Sequence, residues 1–299
     1  MNPMDADLDR RFGALRRLYG DAGYARLRAL RVAVIGLGGV GSWAAEALAR
    51  SGVAALTLID LDHVAESNVS RQVQALGATI GMAKAQALRE RIADIHPGCA
   101  VTAVEQFVDS HNWPALLPAP VDAVIDACDE VPAKAALAAW ALRERIPLVI
   151  AGAAGGKRHA HKLEVADLAA VTHDPLLAAL RQRLRRDHHA PRLGPIGLVC
   201  VFSREPVAAP AGDCAIGSVD GSLNCHGYGS SVTVTATFGL VAAGTAIEAG
   251  LRAAGTISAS ADTGSGLLAQ SVEQRTFNPL VAGSNPAQPT IKQGSREGS

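Results

Sequence analysis

Apolar and polar positions alternate along this chain with two different periods. Short apolar runs at Val32–Ile35, Ala55–Asp60, Ala100–Val104, Asp122–Asp126 and Pro147–Ala151 predict five strands. Between them lie segments with apolar residues on one side of a helical turn. Ser42–Ser51 turns Ala44, Ala45, Leu48 and Ala49 inward, Met82–Ile95 does so with Ala83, Ala87, Ile92 and Ile95, and a third helix is expected from about Pro132 to Glu144. Strands alternating with helices imply an α/β fold, a doubly wound, mostly parallel, Rossmann-like sheet with both faces covered.

The flanking segments read differently. Asp9–Leu30 is polar and arginine-rich and predicts a helical lead-in. After Gly156 come a polar segment, Lys157–Glu164, a basic stretch, Leu180–His189, and Pro- and Gly-rich loops from Pro191 to Gly229, with Cys200 as strand core. A helix from about Thr235 to Ala254 is expected to pack back on the sheet. The divisions expected are an N-terminal arm (1–30), a nucleotide-binding core (31–156), a substrate-side segment with its closing helix (157–257) and a tail (258–299).

Composition narrows the class. Hydrophobic residues are 48% and charged residues 19% of the 299, and the formal net charge is zero, so any nucleic-acid site must be a local patch. Residues 221–247 lack Asp, Glu, Lys and Arg and are long enough to span a bilayer, but the first part is polar and the rest carries several threonines. The expectation is a buried helix and no stable membrane insertion. The acidic N-terminus has no apolar signal segment, and five cysteines without a Cys-x-x-Cys pair support neither a zinc knuckle nor a disulfide framework. Reduced thiols in the cytoplasm follow.

The chemistry concentrates at Gly36-Leu37-Gly38-Gly39-Val40-Gly41-Ser42, between the first strand and the first core helix. Such a turn lets backbone amides and a helix N-terminus approach phosphates. Asp60, ending the second strand, is placed for ribose hydroxyls. A nicotinamide dinucleotide would satisfy these features alone. Asp62, Asn68, Arg71, Gln72 and Lys84 change the picture, because a triphosphate under attack needs charge stabilised on leaving pyrophosphate and a redox dinucleotide does not. The fourth strand ends in Asp126-Ala127-Cys128-Asp129, where an acid can hold Mg²⁺; Asp129 is favoured, with Asp126 read as closing the strand and capping the next helix.

These residues resemble the ubiquitin-activating-enzyme-like (ThiF/MoeB/HesA) adenylating family, whose marks are present in order: Gly36 to Ser42, Asp60 to Asp62, Asn68 to Gln72, Lys84 and Asp129. The resemblance implies ATP and Mg²⁺, a homodimer, and activation of a carboxylate as an acyl-adenylate. It also implies an arginine reaching the phosphates across the dimer; Arg11 is the matching position, with Arg16 and Arg17 as alternatives. Asp174-Pro175-Leu176, Cys200-Val201-Phe202-Ser203 and Thr233 to Gly239 resemble a tRNA-modifying branch. That branch implies ATP-dependent cyclisation of a threonylcarbamoyl group on the adenosine beside a tRNA anticodon. The rivals are adenylation of a sulphur-carrier protein, whose enzymes usually carry the zinc cysteines absent here, and a nicotinamide-dependent oxidoreductase. A sulphur-transfer partner protein is a further implied partner.

Several features keep two readings. Cys225 is either a reactive thiol, by likeness to a relative's cysteine, or a buried one. Arg181, Arg183, Arg185, Arg186, His188 and His189 are either a solvated helix face or a contact for tRNA phosphates. The second basic group, Lys157 to Lys162, departs from the family, and His159 and His161 would share one face of a strand. The tail has another origin in view. Gly283-Ser284-Asn285-Pro286 back-translates to GGT TCG AAT CCC, a tRNA T-loop, and Thr276-Phe277-Asn278 to a lysine-type anticodon loop. Gly266 to Thr290 thus resembles a tRNA-lysine gene read in one frame, so the tail is expected to be disordered and without function.

Overall fold

Seven strands form one sheet in the computed structural model, which describes residues 6–208 and 228–253. Two short helices lead in, α1 (Leu8–Phe12) and α2 (Ala14–Leu27). The core follows as β1 (Arg31–Ile35), α3 (Gly41–Arg50), β2 (Ala55–Ile59), α4 (Lys84–Ile95), β3 (Ala100–Val104), β4 (Ala123–Asp126), α5 (Val131–Glu144) and β5 (Leu148–Ala151). Then come β6 (Leu163–Asp167), α6 (Pro175–Asp187), β7 (Val199–Ser203) and α7 (Val232–Ala253).

The strand order is β3-β2-β1-β4-β5-β7-β6, parallel throughout except that β6 runs antiparallel to β7. The chain winds outward from β1 to β3, then returns to place β4 on the other side of β1. At that reversal the helices that follow β1 and β4 go to opposite faces of the sheet, and a crevice lies at the carboxyl ends of the strands. One face of the sheet is covered by α3, α4 and α7, the other by α5 and α6, giving two apolar layers dominated by Ala, Leu, Val and Ile.

Two segments differ from the sequence-based expectation. β7, inside the stretch expected to be loops, is a buried strand between β5 and β6; Cys200 sits in its core as expected. β6 takes up part of the segment expected to be merely polar, because an edge strand needs only one covered side and Glu164 can face solvent beside Arg204. The lead-in is two helices meeting at Gly13, and the second is interrupted at Gly20 (φ 70°). Cys225 and the tail from Ser258 lie outside the described residues.

The apolar segment near residue 240 is α7, long and apolar enough by composition to cross a membrane. Here one side of it is buried against the sheet and α3. The approach is closest at Gly239, where a Cβ would stand 2.4 Å from the Val40 carbonyl oxygen and 2.8 Å from the Trp43 Cβ. The arm docks at the far end of α4. Phe12 packs on the buried His96 ring with centroids 4.7 Å apart. The Arg28 guanidinium lies over Phe12 and donates to the Gly52 carbonyl and to His96 Nε2, which therefore accepts and fixes a neutral ring.

Two measurements check this packing. Gly239→Ala should destabilise the protein by about 1–3 kcal/mol in urea unfolding, as overpacking does. Gly244→Ala, on the same helix with nothing within 4 Å of its added Cβ, should instead stabilise by about 0.5–1 kcal/mol. For His96, burial first, and then the Arg28 and Arg11 charges, push the pKa down from 6.5 to about 4. The unfolded chain therefore binds a proton before the folded one does. The contribution is fully present above pH 6.5 and is lost as pH falls toward 4. Urea midpoints should fall across that window, and His96→Gln should flatten the fall.

Candidate active site

The crevice at the β1/β4 reversal encloses about 520 Å³. Its floor is the glycine turn. Gly36 has φ 81°, and a Cβ there would stand 2.8 Å from the Ala127 carbonyl oxygen, so the turns after β1 and β4 can meet only if residue 36 has no side chain. Gly41 is needed for closure of the turn on itself, since its Cβ would strike the Gly36 carbonyl oxygen. Gly38 has open space beside it and Gly39 faces Thr235 of α7; both line the crevice with Gly36.

Asp60 stands at one wall, almost fully buried. Its Oδ2 accepts from the Leu37 amide (2.6 Å) and its Oδ1 from the Asp62 amide (2.8 Å). Burial pushes its carboxyl above the ordinary value, opposed by the Lys84 ammonium and the two amides. Each oxygen keeps a second lone pair for a ligand hydroxyl.

The segment from Asn68 to Gln74 forms a polar crown over the turn. Three bonds stitch it in place: the Trp43 indole N–H donates to the Arg71 carbonyl (2.9 Å), the Val73 amide to Ser42 Oγ (3.4 Å), and Gln74 Nε2 to the Leu37 carbonyl (2.9 Å). Asn68, Arg71 and Gln72 are thereby brought into the crevice wall. Asn68 Oδ1 braces the Ala65 amide (3.1 Å), and Arg71 rests on the Ser67 carbonyl (2.8 Å). Lys84, at the first turn of α4, is buried and pairs with Asp62 Oδ2 (2.6 Å). Its ammonium has two further N–H groups for a phosphate.

Across from the crown lies the turn after β4. Asp129 lines the crevice, and its Oδ2 is buried with no hydrogen-bond partner among the described residues. Burial pushes its carboxyl up, as does the nearby Asp62 charge. An orphaned carboxylate oxygen with a second acid in the same cavity fits a hard divalent cation that takes its remaining ligands from phosphates and water. Asp126 is unavailable for that role. It is buried and ion-paired with Lys134 (3.2 Å), which also donates to the Ala151 carbonyl (2.9 Å). Asp126 Oδ1 accepts from the Cys128 amide (3.2 Å) and thiol (2.9 Å), so it shapes the turn and leaves Glu130, not itself, at the start of α5. Burial and the Asp126 charge hold the Cys128 thiol far above its ordinary pKa, unsuited to nucleophilic work.

Other expected residues are placed elsewhere. Ser42 is fully buried, and its hydroxyl serves Val73 rather than the crevice. Arg11 donates to the Asp94 and Ile95 carbonyls, capping the C-terminus of the 12-residue α4. At 1.5 Å per residue that is roughly 17 Å from Lys84, so Arg11 does not enter the crevice of its own chain. Arg16 pairs with Asp21 and lies over Tyr24. The α6 arginines are largely engaged locally, Arg181 with the Leu168 and Val171 carbonyls, Arg183 and Arg186 with Asp187, and Arg185 with the Pro191 and Arg192 carbonyls. His159 precedes and His161 lies within a 3-10 turn, Ala160–Lys162, rather than on a strand face. His159 has an acid partner, Glu205 (2.8 Å), and no metal-binding group of three or more His, Cys, Asp or Glu occurs among the described residues. Lys157 is buried against Asp174 and belongs to no basic surface.

Sequence reasoning missed Gln74 and Lys134, and it gave Asp174 a place in the family resemblance but no role in the site. Gln74 follows Gln72 by two residues within the same polar run, and Asp174 precedes Pro175, a helix-start signature. A lysine in a continuously apolar helix, Ala133–Ala141, was a readable sign of a buried partner.

The sequence signature of the ThiF family matches residues 10–270. The chain is 44% identical over 247 residues to the tRNA threonylcarbamoyladenosine dehydratase of Escherichia coli (strain K12), covering 80% of this chain and 92% of that protein. The crystal structure of the E. coli tRNA N6-threonylcarbamoyladenosine dehydratase TcdA in complex with ATP superposes with a TM-score of 0.74 at 41% identity, over 84% of this chain and 98% of that one. The molybdopterin-synthase adenylyltransferase of E. coli is 39% identical over 127 residues, which is 44% of this chain and 51% of that protein.

Lys134→Met should leave Asp126 buried without its counter-ion and cost about 3–5 kcal/mol in equilibrium unfolding. Adding Asp126→Leu should recover most of that loss.

Proposed function

The chain belongs to the ThiF family, and from that membership and its crevice we propose that it carries out the ATP-dependent dehydration of threonylcarbamoyladenosine in tRNA. One observation carries this reading over sulphur-carrier activation. The likeness to the dehydratase spans 92% of that protein, whereas the likeness to the adenylyltransferase spans 51% of its length. No Cys-x-x-Cys pair occurs in the sequence.

In this reading Gly36, Gly38 and Gly39 seat the phosphates of ATP, and Asp60 takes the ribose hydroxyls. Asn68, Arg71, Gln72 and Lys84 hold the β- and γ-phosphates. A carboxylate oxygen of the threonylcarbamoyl group attacks the α-phosphorus, and the bond to the bridging oxygen of pyrophosphate breaks. The charge that develops on the leaving pyrophosphate lies beneath Arg71 and Lys84, whose cationic groups stabilise it. A ureido nitrogen then attacks the activated carbonyl carbon, loses its proton, and AMP departs with the carbonyl–oxygen bond. The side chain has lost one water. Ring closure needs little beyond positioning, since both reacting groups belong to one substituent.

Asp129, with Asp62 in the same crevice, would hold Mg²⁺, which would neutralise phosphate charge. A homodimer is part of the reading: Arg11 of a second copy of the chain would reach the phosphates that Arg11 cannot reach in its own chain. Residence in the cytoplasm is supported by the free cysteines Cys99, Cys128 and Cys200.

The test is ATP with threonylcarbamoyladenosine-bearing tRNA, followed by mass analysis of the nucleosides. A product lighter by one water is expected. Arg71→Ala, Lys84→Ala and Asp129→Ala should each lower turnover by about 100-fold or more, the scale for losing one stabilising group. Unchanged nucleosides together with pyrophosphate exchange that needs a sulphur-carrier protein would overturn the proposal.

A further inference from the structure

The crevice has two halves, divided by the strand reversal. On the β2–β3 side stand Asp60 and the segment Gln106–Asp109; on the β4–β5 side stand Cys128, Asp129 and the segment Gly152–Gly155. With the ribose on Asp60, the sugar and base lie on the β2–β3 side, and the α-phosphate above the glycine turn is open to attack from the other. The group to be activated therefore enters along Gly152–Gly155.

That segment is held from behind by a buried ion pair. Asp174 Oδ2 accepts from the Ala153 amide (2.9 Å) while its Oδ1 accepts from the Leu177 amide (3.0 Å) at the start of α6. Lys157 Nζ lies 3.7 Å from Asp174 Oδ2, and both side chains have no exposure. The same ammonium donates to the Ser203 carbonyl at the end of β7 (3.1 Å). A Cβ on Gly152 would stand 2.2 Å from Asp174 Oδ2, so the contact admits no side chain there. The next two residues, Ala154 and Gly155, line the crevice, and their amides enter no hydrogen bond among the described residues. Two successive amides without partners are donors that an anion in the crevice can use. Buried ion pairs contribute little net stability compared with apolar residues of the same volume. A pair at this place is better accounted for by the geometry it imposes.

We infer that Gly152–Gly155 is the subsite for the carboxylate to be adenylated, and that Asp174 and Lys157 are the positioning pair that sets it against the glycine turn. The inference rests on the dehydratase reading. The Ala154 and Gly155 amides take one carboxylate oxygen, and the other is left to form the bond to the α-phosphorus as pyrophosphate departs with the electron pair of the broken bond.

The experiment compares Gly152→Ala, Lys157→Met and Asp174→Asn with the wild type. It records affinity for a non-hydrolysable ATP analogue, kcat and KM for threonylcarbamoyladenosine-bearing tRNA, and the thermal midpoint. Gly152→Ala retains both charges but moves the wall. It should leave analogue affinity within about twofold while lowering kcat/KM for tRNA by about 100-fold, the scale of a displacement near 1 Å. Lys157→Met should show the same split to a smaller extent. A purely structural role predicts that analogue affinity, thermal midpoint and turnover fall together, and that result would overturn the inference. So would unchanged turnover in Gly152→Ala. Where Asp174→Asn does not fold, the other two variants decide. A wild-type chain that binds the analogue yet dehydrates no tRNA refutes the parent reading, and this inference with it.

Discussion

The crevice depends on how closely two turns approach each other. Residue 36 is in contact with Ala127 and Cys128 across the β1/β4 reversal, and at that distance no side chain fits. Because β1 and β4 are hydrogen-bonded neighbours, with Ile35 level with Asp126, the glycine turn and the acidic turn leave the sheet side by side. The glycines of one turn and the carboxylates of the other then face a common volume. A bulkier residue 36 would push the two turns, and the side chains they carry, apart.

Buried charge does much of the local shaping. Lys134 and Lys157 are both inside the protein, each beside one aspartate, and between them they fix the end of β5: Lys134 through the Ala151 carbonyl, Lys157 through Asp174 and the Ala153 amide. In neither case is the lysine in contact with the crevice. An isolated ammonium would be costly in such surroundings, and burial does push the Lys157 pKa down. Around Lys134 the opposing effect of Asp126 wins, and its pKa is raised despite burial. Residues that define the site thus include several that no ligand would touch.

The sheet was legible in the sequence where the two periods are clean. All five strands expected up to Ala151 occur within one or two residues of their expected ends, because each is an apolar run bounded by polar or glycine-containing turns. β6 and β7 were harder to read. β6 is half-exposed and mixed in composition, so it does not stand out by periodicity; β7 is an apolar run as long as β1, but it is embedded in Pro- and Gly-rich surroundings and only its Cys200 reads as strand core. Of the candidate site, Gly36, Gly38, Gly39, Asp60, Asp62, Asn68, Arg71, Gln72, Lys84 and Asp129 line one crevice. Local spacing placed the glycines, Asp60, Asp62 and Asp129 just beyond strand ends and Asn68 to Lys84 in the connection from β2 into α4, and the parallel order did the rest. Ser42, Gly41 and Arg11 are not in that lining, because hydrogen bonding to Val73, packing on Gly36 and capping of α4 are tertiary contacts that spacing does not encode.

The bond from the Trp43 indole to the Arg71 carbonyl has a spectroscopic corollary. The chain has three tryptophans, and the other two, Trp113 and Trp140, stack edge-to-face on the opposite side of the sheet, with centroids 5.1 Å apart. Trp43 alone is tied to the segment that carries Arg71 and Gln72. Any rearrangement of that segment alters the polarity and hydrogen bonding of one indole while the other pair remains a constant background. The protein therefore carries a fluorophore hydrogen-bonded to the polar crown of its own crevice, and the emission of Trp43 reports on the conformation of that segment without a label.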